Sequence, residues 1–168
     1  MKNLYGFKVL VTLIVIIIAS TQLVFASDRV AAPDFTLKNQ KGENIQLSDF
    51  KGQIVILNFW AGWCSPCIKQ MSALNEIYKK YQTLGLTVLG INTDPKLKHA
   101  VEFLKNTPVE FPILLDPQES VPKSYAMFAM PSTVILDRNG RVGFLNVGYK
   151  DGDEDKYREN IEKLLQEE

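Results

Sequence analysis

Seven consecutive residues, Ile54 to Trp60 (IVILNFW), constrain this 168-residue chain more than any other stretch. The run is apolar apart from Asn58 and is bounded by Gly52 and Gly62. It is too short for a core helix and opens on β-branched residues, so it reads as a buried strand. A strand of that kind belongs in the interior of a sheet with both faces covered. It runs straight into FWAGWCSPCIKQM, residues 59–71, which contains both cysteines of the chain.

The patterns around this strand complete a fold class. Residues 33–47 alternate apolar and polar about Lys41-Gly42 and predict a β-hairpin. Residues 48–52 (SDFKG) read as a polar hinge. From Cys64 to Leu84 the period becomes helical, with Cys67, Met71, Leu74, Tyr78 and Tyr81 on one face and Gly85 as the stop. Strands are expected at 86–92, 111–116 and 132–137, and helices at 96–106 and 119–126. Asn139-Gly140 turns the chain into a strand at 141–148. A last helix, about 154–166, carries Tyr157, Ile161, Leu164 and Leu165. Strands alternating with helices give an α/β fold, a mixed sheet with helices on both faces. With 46% apolar and 23% charged residues the chain is ordinary for a globular protein, and its net charge of zero gives no footprint for nucleic acid.

The N-terminus stands apart. Lys2 and Lys8 precede an apolar run at 9–19, and Val24-Phe25-Ala26 has the small-x-small form of a cleavage site. Residues 1–26 therefore read as a signal peptide, or as an uncleaved membrane anchor, with 27–168 as the folded domain. Either reading carries the domain out of the cytoplasm, to the periplasm or the outer face of the cytoplasmic membrane.

Export permits disulfides. Cysteines at i and i+3 at a helix start lie on one face, about 5–6 Å apart, inside the range a disulfide spans. A helix N-terminus favours an anion, and the thiolate is the attacking form of cysteine. A thiol of pKa about 8.5 is only about 3% ionised at pH 7, and bringing it to about 7 takes about 2 kcal/mol. Pro66 loses nothing in a first turn, where its missing N–H would have had no partner. A zinc site lacks ligands, since the chain has two cysteines and one histidine, His99, on another helix. A purely structural bond would close too small a loop to constrain the unfolded chain much. Reversible redox chemistry is the reading that remains strongest. His99, with Lys96 and Lys98, reads as a solvated helix face.

FWAGWCSPC after a buried strand resembles the thioredoxin superfamily, with its W-C-x-x-C pattern. APDFTLKNQKGENIQLSDFKG before it, and MPSTVILDRNGRV later, resemble the exported TlpA/ResA-like thiol–disulfide oxidoreductases. The resemblance runs from about Ala32 to the C-terminus. It implies a thioredoxin fold with an N-terminal hairpin and a strand–helix insertion at roughly 93–118. It implies Cys64 as the exposed attacking cysteine and Cys67 as the buried resolving one. Trp63 corresponds to the flanking tryptophan and Pro131 to a cis-proline, while Met130 offers its backbone to an extended substrate. Asn58 stands where cytoplasmic thioredoxins carry a buried aspartate, and an amide takes no proton from Cys67. Asp94 is the candidate acid, although Asp94-Pro95 also reads as a helix cap.

The resemblance implies reduction of disulfides in exported proteins, apocytochrome c among them, by a monomer without a cofactor that draws electrons from a membrane thiol donor. Two other readings remain. A thiol peroxidase of the peroxiredoxin type shares the APDFTL opening but carries threonine where this chain has Ala61. A copper-delivery module of the same fold needs a wider cysteine spacing and a histidine near the cis-proline. Direction of electron flow is not readable in Ser65-Pro66.

Overall fold

The computed structural model describes residues 29–167. The expected leader at 1–26, with its cleavage site, lies outside the described residues. Seven strands form one sheet: β1 Thr36–Asn39, β2 Asn44–Gln46, β3 Ile54–Trp60, β4 Leu86–Asn92, β5 Ile113–Leu115, β6 Ser132–Leu136 and β7 Val142–Val147. Their order is β2-β1-β5-β4-β3-β6-β7. Helix α1 spans Ser65–Tyr81, α2 Leu97–Asn106, α3 Ser120–Ser124 and α4 Asp153–Gln166.

β3 is central and buried at every residue, as its composition requires. It pairs parallel with β4 over seven residues and antiparallel with β6. Alternate side chains face opposite cores. Ile54, Ile56 and Trp60 join Cys67, Met71 and Leu74 of α1, Ala100 and Phe103 of α2, and Tyr157, Ile161 and Leu164 of α4. Val55, Leu57 and Phe59 face a second core of Leu47, Leu89, Leu114, Val121 and Val134. The helix cover is lopsided. Three long helices lie on the first face, while the second is closed by the short α3 and the residues around Leu47.

Several expected elements shift. The hinge at 48–52 is instead a 3-10 turn over Leu47–Phe50 that plugs Leu47 into the second core. α1 gives way to a 3-10 turn at Gln82–Leu84 before Gly85, whose φ of 84° ends the helix. The strand expected from 111 begins at Ile113, because Pro112 has no N–H for a ladder; its carbonyl accepts from Gly90 N–H at 2.9 Å. α3 stops at Ser124, two residues before Ala126 takes a positive φ of 53°. No helix among the described residues is long and apolar enough to cross a membrane.

Candidate active site

β3 and β4 run parallel and end side by side, Trp60 opposite Asn92. β6 begins at the same edge, because its antiparallel register sets Ser132 opposite Phe59. The loops leaving β3 and β4 and the loop entering β6 therefore converge at one end of the sheet. This is where open α/β sheets bind their ligands.

From Trp60 the chain turns through Ala61, Gly62 and Trp63 into α1. Cys64 is the N-cap, in extended conformation, and Pro66 sits in the first turn. Cys64 N–H donates to Ala61 O, and Cys67 N–H to Cys64 O, each at 3.1 Å. Cys64 and Cys67 are joined by a disulfide, with Cα atoms 5.3 Å apart. Cys67 is fully buried on the core face of α1. Cys64, expected to be exposed, is only 3% exposed in this oxidised form. Its sulfur is bonded to the fully buried Cys67. The exposed flank of the pair is Trp63, 68% open to solvent.

The β4–α2 loop clamps this turn. Thr93 N–H donates to Trp60 O at 3.0 Å. Asp94 is buried, and its Oδ2 accepts from Gly62 N–H at 2.7 Å and from Asn92 Nδ2 at 2.8 Å. Its other oxygen has no hydrogen-bond partner, and His99 Nδ1 lies 3.9 Å from it. A Cβ at Gly62 would stand 2.6 Å from the His99 carbonyl oxygen, so glycine is what allows the β3–α1 turn to touch the first turn of α2. Asp94 is not the cap of α2, which begins at Leu97 after Lys96. Its carboxylate holds the backbone just ahead of Cys64, at Gly62 N–H, and the side chain of Asn92. His99, read from sequence as solvated, has a half-exposed side chain beside this clamp.

Behind Cys67 lies a polar network that sequence reasoning missed. Asn58 Nδ2 donates to Gln70 Oε1 at 2.5 Å. Gln70 Nε2 donates to Thr133 Oγ1 and to the Tyr157 hydroxyl, both at 2.9 Å. Asn146 Nδ2 reaches the same hydroxyl at 3.1 Å. Burial pushes the Tyr157 phenol above its ordinary pKa, so it stays neutral. The network thus joins β3, α1, β6, β7 and α4 through uncharged groups, one helical turn from Cys67. The available signal was Gln70 itself, a polar residue in the apolar stripe of Cys67, Met71 and Leu74.

On the opposite side, the Met130–Pro131 peptide is cis. Continuing the β3–β6 register sets Pro131 level with Trp60. Pro131 O accepts from Gly148 N–H at 2.7 Å, which ties this turn to the end of β7. Met130 is half-buried between the two cores, and Phe128 beside it is 86% exposed. The edge thus gathers Trp63, Cys64 and Cys67 from one loop, Asp94 from a second, and Met130 and Pro131 from a third. Among the described residues no cluster of three or more His, Cys, Asp or Glu could hold a metal ion.

A thioredoxin-like sheet with a bonded C-x-x-C pair at the head of its central helix defines the class of thiol–disulfide oxidoreductases. Within that fold, the chain belongs to the AhpC/TSA family, whose model matches residues 29–144. Thiol-disulfide oxidoreductase ResA of Geobacillus thermodenitrificans is 39% identical over 112 residues, a match covering 66% of this chain and 64% of that relative. The chain thus spans under two thirds of that relative's length. A ResA from Bacillus cereus is 31% identical over 135 residues, covering 80% of this chain and 75% of the relative. A DsbE-type thiol:disulfide interchange protein from Chlorobium tepidum superposes with a TM-score of 0.79 at 36% identity, covering 82% of this chain and 96% of that one.

Proposed function

We propose that this protein reduces disulfides in proteins outside the cytoplasm by dithiol exchange. The observation that carries the reading is the Cys64–Cys67 bond at the N-terminus of α1, next to exposed Trp63. In the reduced protein the Cys64 thiolate attacks a substrate disulfide. One substrate sulfur leaves as a thiol and the other is held in a mixed disulfide. Cys67, once deprotonated, attacks Cys64 Sγ, closes the internal bond and releases the second substrate thiol. The protein is oxidised by two electrons and the substrate reduced by two. A membrane thiol carrier restores the dithiol, and apocytochrome c fits as a substrate class.

The residues around the pair take supporting roles in this reading. The end of α1 stabilises the Cys64 thiolate. Asn58 and Gln70 are amides and remove no proton, so Asp94 is assigned to Cys67. The Met130 backbone and Pro131 receive the substrate's extended segment, with Trp63 against its side. The leader at 1–26 supplies export or anchoring, and the domain acts as a monomer.

A redox titration of the purified protein against dithiothreitol and glutathione buffers tests the direction. A potential near about −270 mV supports a reductant, and one near about −120 mV makes it an oxidant. Reduction of insulin with excess dithiothreitol tests the activity itself. A peroxidase would instead consume hydrogen peroxide at a comparable rate, and Ala61 offers no hydroxyl for that chemistry.

A further inference from the structure

Next to Trp63 and Ile68, between the start of α1 and α2, lies a groove of about 320 Å³, of which the exchange reading uses only Trp63. Its walls include Trp63 and Ile68, and Phe103, His99, Glu102 and Asn106 of α2 complete it. Phe103 is fixed in place by its ring contact with Trp60, centroids 4.6 Å apart. Trp63 and Ile68 are large apolar side chains, 68% and 47% exposed. They are the immediate chain neighbours of Cys64 and Cys67, so the groove borders the turn that carries the disulfide. Besides His99, the charged lining residue is Glu102. Its carboxylate makes no hydrogen bond or ion pair among the described residues, and no lysine or arginine lines the groove.

We propose that this groove docks the segment flanking the reactive cysteine of a protein substrate, and that Glu102 selects a lysine or arginine there. The inference rests on the dithiol-exchange reading. A long basic side chain matches the groove in two ways. Its aliphatic stem covers Ile68 and Phe103 while its charged head remains in water. The head lies over the Trp63 ring, the best cation–π partner, and meets Glu102 at the rim. A chain extended at about 3.3 Å per residue brings a side chain two or three residues from the substrate cysteine to this place. Rim charges of this type act through encounter rate and choice of partner, and their effect falls with salt. α2, part of the insertion between β4 and β5, thereby contributes specificity to a reaction whose chemistry sits on α1.

The test uses the full chain in its reduced state and peptide disulfides that differ at one position. Lysine, glutamine or glutamate is placed in turn at each of the three positions on either side of the cysteine, and kcat/KM is read for each. At one or two positions lysine is expected to exceed glutamate by about three- to tenfold in low salt. Glu102→Gln should flatten that preference, and Glu102→Lys should reverse it. Equal rates for all peptides, or a lysine preference unchanged by Glu102→Lys, overturns the proposal. Turnover of neutral hydroxyethyl disulfide by the unaltered protein reports exchange itself. If that is absent, the exchange reading falls and this one with it; if it is present without a charge preference, only the groove reading falls.

Discussion

At the scale of single residues the two cysteines have unequal surroundings. Cys64 caps a helix, while Cys67 sits in the core above a neutral network. Under the proposed dithiol exchange, Cys64 attacks and Cys67 resolves. Cys67→Ala leaves an attacking thiol with nothing to resolve it, so incubation with a disulfide protein should accumulate a mixed disulfide, read as a mass increase on non-reducing analysis. Cys64→Ala should form none. Asp94 holds Gly62 N–H. Asp94→Ala removes that acceptor and should cost about 1–2 kcal/mol in urea denaturation, together with slower reduction. Asp94→Asn keeps an acceptor but not a titrating group. It should fold almost as well, and it should alter the pH profile of the resolving step only if Asp94 moves the Cys67 proton. An unaltered profile would leave Asp94 as a tether.

At the scale of elements, the site depends on helices being locked to strands by polar contacts as well as apolar ones. α4 reaches the redox helix through Tyr157, whose hydroxyl accepts from Gln70 and Asn146. Tyr157→Phe conserves the ring and its edge contact with Phe144 but takes one acceptor from buried Gln70 and one from half-buried Asn146. A loss of about 1–2 kcal/mol is expected in chemical denaturation; no loss would mean that Thr133 and water satisfy the network unaided. Element positions were largely legible. IVILNFW announced β3, and the three- and four-residue spacing from Cys67 announced α1. The short elements were not. Pro112 trimmed β5, and the chain between β2 and β3 became a 3-10 turn because Leu47 fills a gap in the second core. The first is a local effect of a residue without an N–H, while the second depends on space in the assembled core, which local pattern does not encode.

At the scale of the whole molecule, the disulfide adds little stability. The bond closes a loop of only a few residues, so the double variant Cys64→Ser/Cys67→Ser should stay folded and lose at most about 2 kcal/mol in thermal or urea denaturation. Acid should matter more at the N-terminal strands. Asp34 accepts from Gln46 Nε2 and from the N–H groups of Ser48 and Phe35. The Gln46 bond, opposed by slight burial and aided by the two N–H groups, holds its carboxyl below the usual range. A depressed folded pKa gives stability that is present above the unfolded value, about 3.9, and is lost as pH falls through the folded one. Asp34→Asn should therefore be less stable than the parent at pH 7, with the gap narrowing toward pH 2–3. Equal urea midpoints at pH 7 would refute this.

The sequence by itself determined the thioredoxin-like order of elements and the redox pair. Apolar period and the i, i+3 cysteine spacing are local properties that burial acts on directly. The tertiary structure decided what surrounds the pair. Gln70 drew no reading from the sequence, and only in the fold do Asn58, Thr133 and Tyr157 close around it. Asp94 does not cap α2; the parallel register of β3 and β4 brings its carboxylate to Gly62 N–H. Cys64, expected at the surface, is buried and bonded to Cys67. Each of these depends on contacts between residues far apart in the chain, which form only when the sheet sets the distances between its loops.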